Sequence, residues 1–209
     1  MKLNRILLFT FWIALILLSA GFYFENAVVY LFGYRNERFA GNELWFVTHI
    51  LGATCLLFLG PLQFWKRFRA KYIRWHRLSG KVYIFGSLVA GIAGFRLSLI
   101  YDCVGCRYGS VALAILLILT TSMAWYAIKH KNIQAHRQFM IRSYAVGLTF
   151  VFVRLPQILP LKFIVAPLAE DILLRRTVQE GLYSFVPLFL VELFLIWIPS
   201  LKSPHLSAK

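Results

Sequence analysis

Two long apolar runs are separated by sixteen residues that cannot enter hydrocarbon. The segment 66–81, KRFRAKYIRWHRLSGK, holds seven Lys or Arg and one His, and no Asp or Glu occurs from Leu44 to Tyr101. Its apolar neighbours are as unsuited to water as it is to lipid. The pattern reads as a cytoplasmic loop joining two membrane-spanning helices, and it orients everything else.

The rest of the composition agrees. The chain is 60% hydrophobic and 15% charged, where a soluble domain carries about 25% charged residues. Several apolar runs reach the roughly 20 residues that a helical span needs. The net charge of +15 raises nucleic acid as a partner. The positive charge sits in short loops beside spans, however, where the positive-inside rule and anionic lipid headgroups account for it. No nucleic-acid partner is expected; membrane lipid is.

The expected fold is all-α: a polytopic membrane bundle forming one transmembrane domain over 1–209, with six spans near 6–24, 43–65, 81–101, 109–128, 138–154 and 181–200. The first run follows Lys2 and Arg5 and is longer than a signal-peptide core, so it reads as an uncleaved span. With the N-terminus inside, Lys2, Arg5, the seven basic residues of 66–81, Lys129, Lys131, Arg137, Arg142, Lys202 and Lys209 fall on or near the cytoplasmic side, and no acid joins them. Glu25, Glu37, Glu43, Asp102, Glu170, Asp171 and Glu180 fall outside, with six basic residues. Both termini are then cytoplasmic. Pro61 can stop or kink the second span, Pro156 and Pro160 end the fifth, and 168–179 has the spacing of a helix lying along the outer surface.

The two inner loops resemble each other. Trp75-His76-Arg77 opens the third span and Ala135-His136-Arg137 the fifth, and each His-Arg pair leads to a Tyr, Tyr83 or Tyr144. Spans two–three and four–five thus read as two repeated hairpins.

Taken together, certain residues resemble a family of uncharacterised bacterial integral membrane proteins catalogued as a domain of unknown function. They are His49-x-x-Gly52, Leu59-Gly60-Pro61-x-Gln63-Phe64, His76-Arg77-x-x-Gly80-x-x-Tyr83, His136-Arg137-x-Phe139-Met140-x-Arg142-Ser143-Tyr144-Ala145 and Val186-Pro187 with Val191-Glu192. The resemblance covers roughly 43–200. Phe139 stands where the family pattern has Trp. The resemblance implies a location in the bacterial inner membrane and supplies no catalytic residues.

The histidines are the first candidates for chemistry. Neutral His ligates haem iron, and paired His on neighbouring helices suit an electron-transfer haem. His76 and His136 open spans on the same side, so one haem b between them is a possible cofactor. His49 lies some 16 residues, about 24 Å, from the inner end of its span, too far to share that iron. No other His is placed to partner it, so a two-haem arrangement fails. The alternative for His76 and His136 is a structural place among headgroups beside arginine.

His49, Arg96 and Arg154 fall at comparable outer depth and are candidates to line a polar cavity. Snorkelling of both arginines to the outer headgroups is the plainer reading. Glu192 is the single acid inside an expected span and needs a proton or a partner. Arg142 lies at similar depth, so a Glu192–Arg142 pair locking the last two spans is expected, with a proton-carrying carboxylate as the alternative. Cys103 and Cys106, in CVGC on the outer side, read as a disulfide, since two thiolates are too few for a closed zinc site. Cys55 reads as a packing residue. No catalytic constellation and no metal site are expected. Two function classes remain: a non-enzymatic protein of transport, assembly or structural type, and a single-haem electron carrier.

Overall fold

A computed structural model describes residues 13–14, 16–21, 24, 39–154 and 171–201. Among these residues the protein is helical and has no strand. The helices are α1 (Glu43–Phe64), α2 (Lys66–Lys71), α3 (Ile73–Ser98), α4 (Val104–Lys129), α5 (Ile133–Phe152), α6 (Ile172–Val191) and α7 (Ile198–Leu201), with a π-helical stretch, Glu192–Trp197, joining the last two. Residues 13–14 and 16–21 are also helical. Most of the expected first span, the loop that follows it, Pro156, Pro160 and the polar tail lie outside the described residues.

Among the described residues, four helices are long and apolar enough to cross a membrane: α1, α3, α4 and the continuous rod Ile172–Leu201. α5 coincides with the fifth expected span and has 20 residues, but Arg137 and Arg142 make it less apolar. It buries Met140, Ser143, Tyr144, Ala145, Val146, Leu148, Thr149 and Val151. Contact with α4 and α6 therefore shields a helix that lipid alone would not accept.

The helix boundaries differ from the sequence expectation in three places. The basic segment is helical rather than a loop: it forms α2 and the first turns of α3, broken only at Tyr72. Lys and Arg are good helix formers, and no Gly or Pro intervenes before Gly80. The Cys103–Cys106 stretch is the first turn of α4, not a turn before it. Finally, 172–179 does not form a separate surface helix. It continues into α6, because nothing between Asp171 and Pro187 except Gly181 opposes helix. Asp171 caps that helix by accepting from the N–H groups of Leu173 and Leu174.

The chain divides into two compact units, Met1–Leu97 and Ser98–Lys209. In the first, α1 and α3 form a hairpin held by close backbone approach. A Cβ on Gly52 would stand 2.5 Å from the Gly86 carbonyl oxygen, and one on Gly86 would collide with Cys55. Small residues permit such crossings where lipid gives no hydrophobic drive for helix association. At the loop end, buried Gln63 donates from Nε2 to Ser79 Oγ at 2.9 Å. Pro61 removes one helical donor, and α1 ends at extended Trp65 one turn later.

In the second unit, α4 and α5 form a tight hairpin. Lys131 takes a left-handed φ of 60°, and Asn132 caps α5 by accepting from the Ala135 N–H. Deep in the hairpin, Thr121 and Ser143, both fully buried, hydrogen bond at 2.8 Å. The two hairpins share one detail: His76 and His136 are each the fourth residue of their second helix, followed by Arg.

Candidate functional site

The second unit carries a charged pair in an otherwise apolar setting. Arg142 lies nine residues after the start of α5, and Glu192 nine residues before the end of α7. Each is thus about 14 Å along its helix from that end. Arg142 Nε donates to Glu192 Oε1 at 2.5 Å and Nη2 to Oε2 at 3.0 Å. The geometry is the two-pronged fork that arginine and a carboxylate form best. The pair is 22% and 29% exposed at the side chains. The Arg142 guanidinium also lies 5.1 Å from the Phe139 ring, one turn back on α5, a distance at which the ring's π face attracts a cation.

The backbone around Glu192 is interrupted. Pro187 stands inside α6 and removes the donor for the Tyr183 carbonyl. Glu192 opens the π-helical stretch. Ser184 and Ile196, eight residues before Glu192 and four after it, are buried, so the row 184, 188, 192, 196 faces the bundle while Phe185, Phe189 and Phe194 face outward. π turns insert a residue into the helical ladder and concentrate at functional positions.

The other candidate residues fall as follows. His49 Nδ1 lies 2.9 Å from the Ala90 carbonyl across the α1–α3 crossing. A carbonyl only accepts, so Nδ1 carries the proton. Gly94 leaves room for the ring, since a Cβ there would come within 3.1 Å of Nδ1. Arg96 is in the last turn of α3. Arg154, in the second unit, donates to the Phe150 carbonyl at 3.0 Å and lies 3.8 Å over the Phe150 ring. His76 is half-buried in the first unit. His136, in the second, donates from Nδ1 to the Ala124 carbonyl at 2.8 Å.

A family model described as Predicted membrane protein (DUF2306) matches residues 46–196. The chain belongs to this family. The DUF2306 match takes in both hairpins and runs through Glu192 to Ile196, so the Arg142–Glu192 pair and every candidate residue named above lie within it. The membership makes the protein a membrane protein. No curated protein and no solved structure matches the chain.

Cys103 and Cys106 form a disulfide, buried at the start of α4. Cys103 Sγ accepts from the Cys106 N–H, capping the helix, and lies 3.3 Å from Thr177 Oγ1 on α6. Gly105 packs against Thr177 so closely that any Cβ would collide with it. Thr177 and Thr121 were not singled out in the sequence, and Ser143 and Pro187 stood there only within the family pattern, with no contact or helix interruption assigned to them. Pro187 was visible there as a helix breaker four residues before Val191; the polar contacts carried no pattern of their own.

Proposed function

We propose that the protein is a non-enzymatic, multi-pass protein of the bacterial inner membrane that works by rearranging helices, as a transporter does. The reading is carried by the Arg142–Glu192 pair on an interrupted helix. An ion pair in a lipid setting is a functional candidate by default. Here it joins the enclosed helix α5 to a rod whose side chains mostly face outward. Pro187 and the π turn supply the place where that rod can change its winding. The pair is a latch, and the interruption beside it is the hinge.

Both termini are cytoplasmic in this reading. The disulfide supports it, because disulfides persist on the oxidising side of a membrane. Cys103 lies at one end of α4 and Lys129 at the other, so an oxidising exterior for the first puts the basic end inside.

Spin labels on the exposed Leu190 of α6 and the exposed Gln134 of α5 test the latch by pulsed-dipolar spectroscopy. Wild type gives one narrow distance, and Arg142→Gln broadens or splits it while helicity is retained. A single unchanged distance in the variant contradicts the reading.

A second reading, a b-type haem carrier, draws on His136. Its Nδ1 is committed to the Ala124 carbonyl, which orients the ring and leaves Nε2 as the metal-binding atom. A Soret band lost on His136→Ala or His76→Ala supports that reading. A colourless, folded protein after expression with ample haem counts against it.

A further inference from the structure

The first turns of α3 carry a second site, independent of the latch. Arg74, Arg77 and Lys81 are all exposed and recur at intervals of three and four, which sets them in one stripe on the helix surface. Within the segment 44–101 no acid is available to neutralise them, and none of the three forms an ion pair among the described residues. The same side of the helix then turns apolar. Leu78, Val82 and Phe85 are 53%, 42% and 71% exposed. A side with three cations at its mouth and large bare hydrocarbon beneath has the profile of a phospholipid, phosphate above and acyl chains below.

We propose that this face of α3 binds an anionic phospholipid, with Arg74, Arg77 and Lys81 on the headgroup and Leu78, Val82 and Phe85 along the acyl chains. The cation stripe extends over seven residues, about 10 Å, longer than one phosphate requires. A lipid carrying two phosphates, such as cardiolipin, therefore fills it better than phosphatidylglycerol. Arginine holds phosphate oxygens through its fork, and each cation near an anionic headgroup adds to the attraction. The second hairpin's loop has Lys129, Lys131 and Arg137 in place of the seven cations of 66–81, and Lys129 is turned toward Trp125, 4.8 Å from its ring centroid. It is the natural control.

The test is native mass spectrometry of the full chain in detergent, titrated with tetraoleoyl cardiolipin, dioleoyl phosphatidylglycerol, dioleoyl phosphatidylcholine or inorganic phosphate. Wild type holds cardiolipin most strongly and phosphatidylcholine least. The variant Arg74→Gln/Arg77→Gln/Lys81→Gln loses about tenfold or more in cardiolipin affinity, while Lys129→Gln/Lys131→Gln/Arg137→Gln keeps it. Phe85→Ala, which leaves the charges in place, weakens cardiolipin retention more than that of inorganic phosphate. Equal retention of phosphatidylcholine by wild type overturns the proposal even if the triple variant fails to fold. So does undiminished cardiolipin binding by a folded triple variant, or full displacement of cardiolipin by millimolar inorganic phosphate.

Discussion

His49 on α1 reaches across the hairpin and hydrogen bonds through Nδ1 to the carbonyl of Ala90 on α3, 2.9 Å away. The bond ties a side chain of one helix to the backbone of another at their crossing, where Gly94 makes room for the ring. Interhelical bonds of this kind are worth about 0.5–2 kcal/mol in membrane proteins. His49→Ala is expected to lower unfolding free energy by about that much, read from denaturant unfolding in detergent. Unchanged stability would mean that the bond is incidental to the fold.

The same crossing gives a harsher prediction at Gly52. Its Cα faces the Gly86 carbonyl with no space for a methyl group. Overpacking of this kind costs about 1–3 kcal/mol, so Gly52→Ala destabilises and Gly52→Leu prevents the hairpin from closing. Gly21, with nothing within 4 Å of its Cβ position among the described residues, tolerates Ala in the same assay.

The Cys103–Cys106 disulfide closes a short loop at the head of α4 and packs against Thr177. Loop-closure entropy for so few residues amounts to about 2 kcal/mol. Cys103→Ser/Cys106→Ser is expected to lower the melting temperature and to leave the far-UV spectrum of the folded protein unchanged. A thiol reagent should modify the wild-type pair only after reduction, and modification without reductant would show that the pair is not oxidised.

The proposed orientation rests on the charges. A membrane-impermeant amine reagent applied to intact cells is expected to spare Lys71 and Lys131 and to reach both in inverted vesicles. Labelling of either from outside would put the basic segments on the wrong side for the positive-inside rule.

Much of the fold is legible in the sequence, and the reason is physical. Runs such as 43–65 and 109–128 are decided by transfer from water to lipid, a term that sums over single residues. The basic segment 66–81 reads as a connecting loop for the same reason: its charge says where it cannot go, while its helicity in α2 and α3 depends on local backbone preference. Depth alone brought Arg142 and Glu192 together, because Arg142 lies as far from the start of α5 as Glu192 does from the end of α7. Depth did not separate the other candidates. His49 and Arg96 are expected at one level from the sequence, and His49 turns to the α3 backbone at Ala90. The Thr121–Ser143 bond and the π turn at Glu192 depend on how helices rotate against each other, which periodicity of a nearly all-apolar run does not record.

The most direct test of the latch is a charge-swap cycle between Arg142 and Glu192. Either single variant, Arg142→Glu or Glu192→Arg, leaves like charges facing each other between α5 and the last helix and is expected to cost on the order of 3–5 kcal/mol. The double variant Arg142→Glu/Glu192→Arg restores opposite charges and should regain at least half of the summed loss in unfolding free energy. Simple addition of the two losses in the double variant would contradict the account.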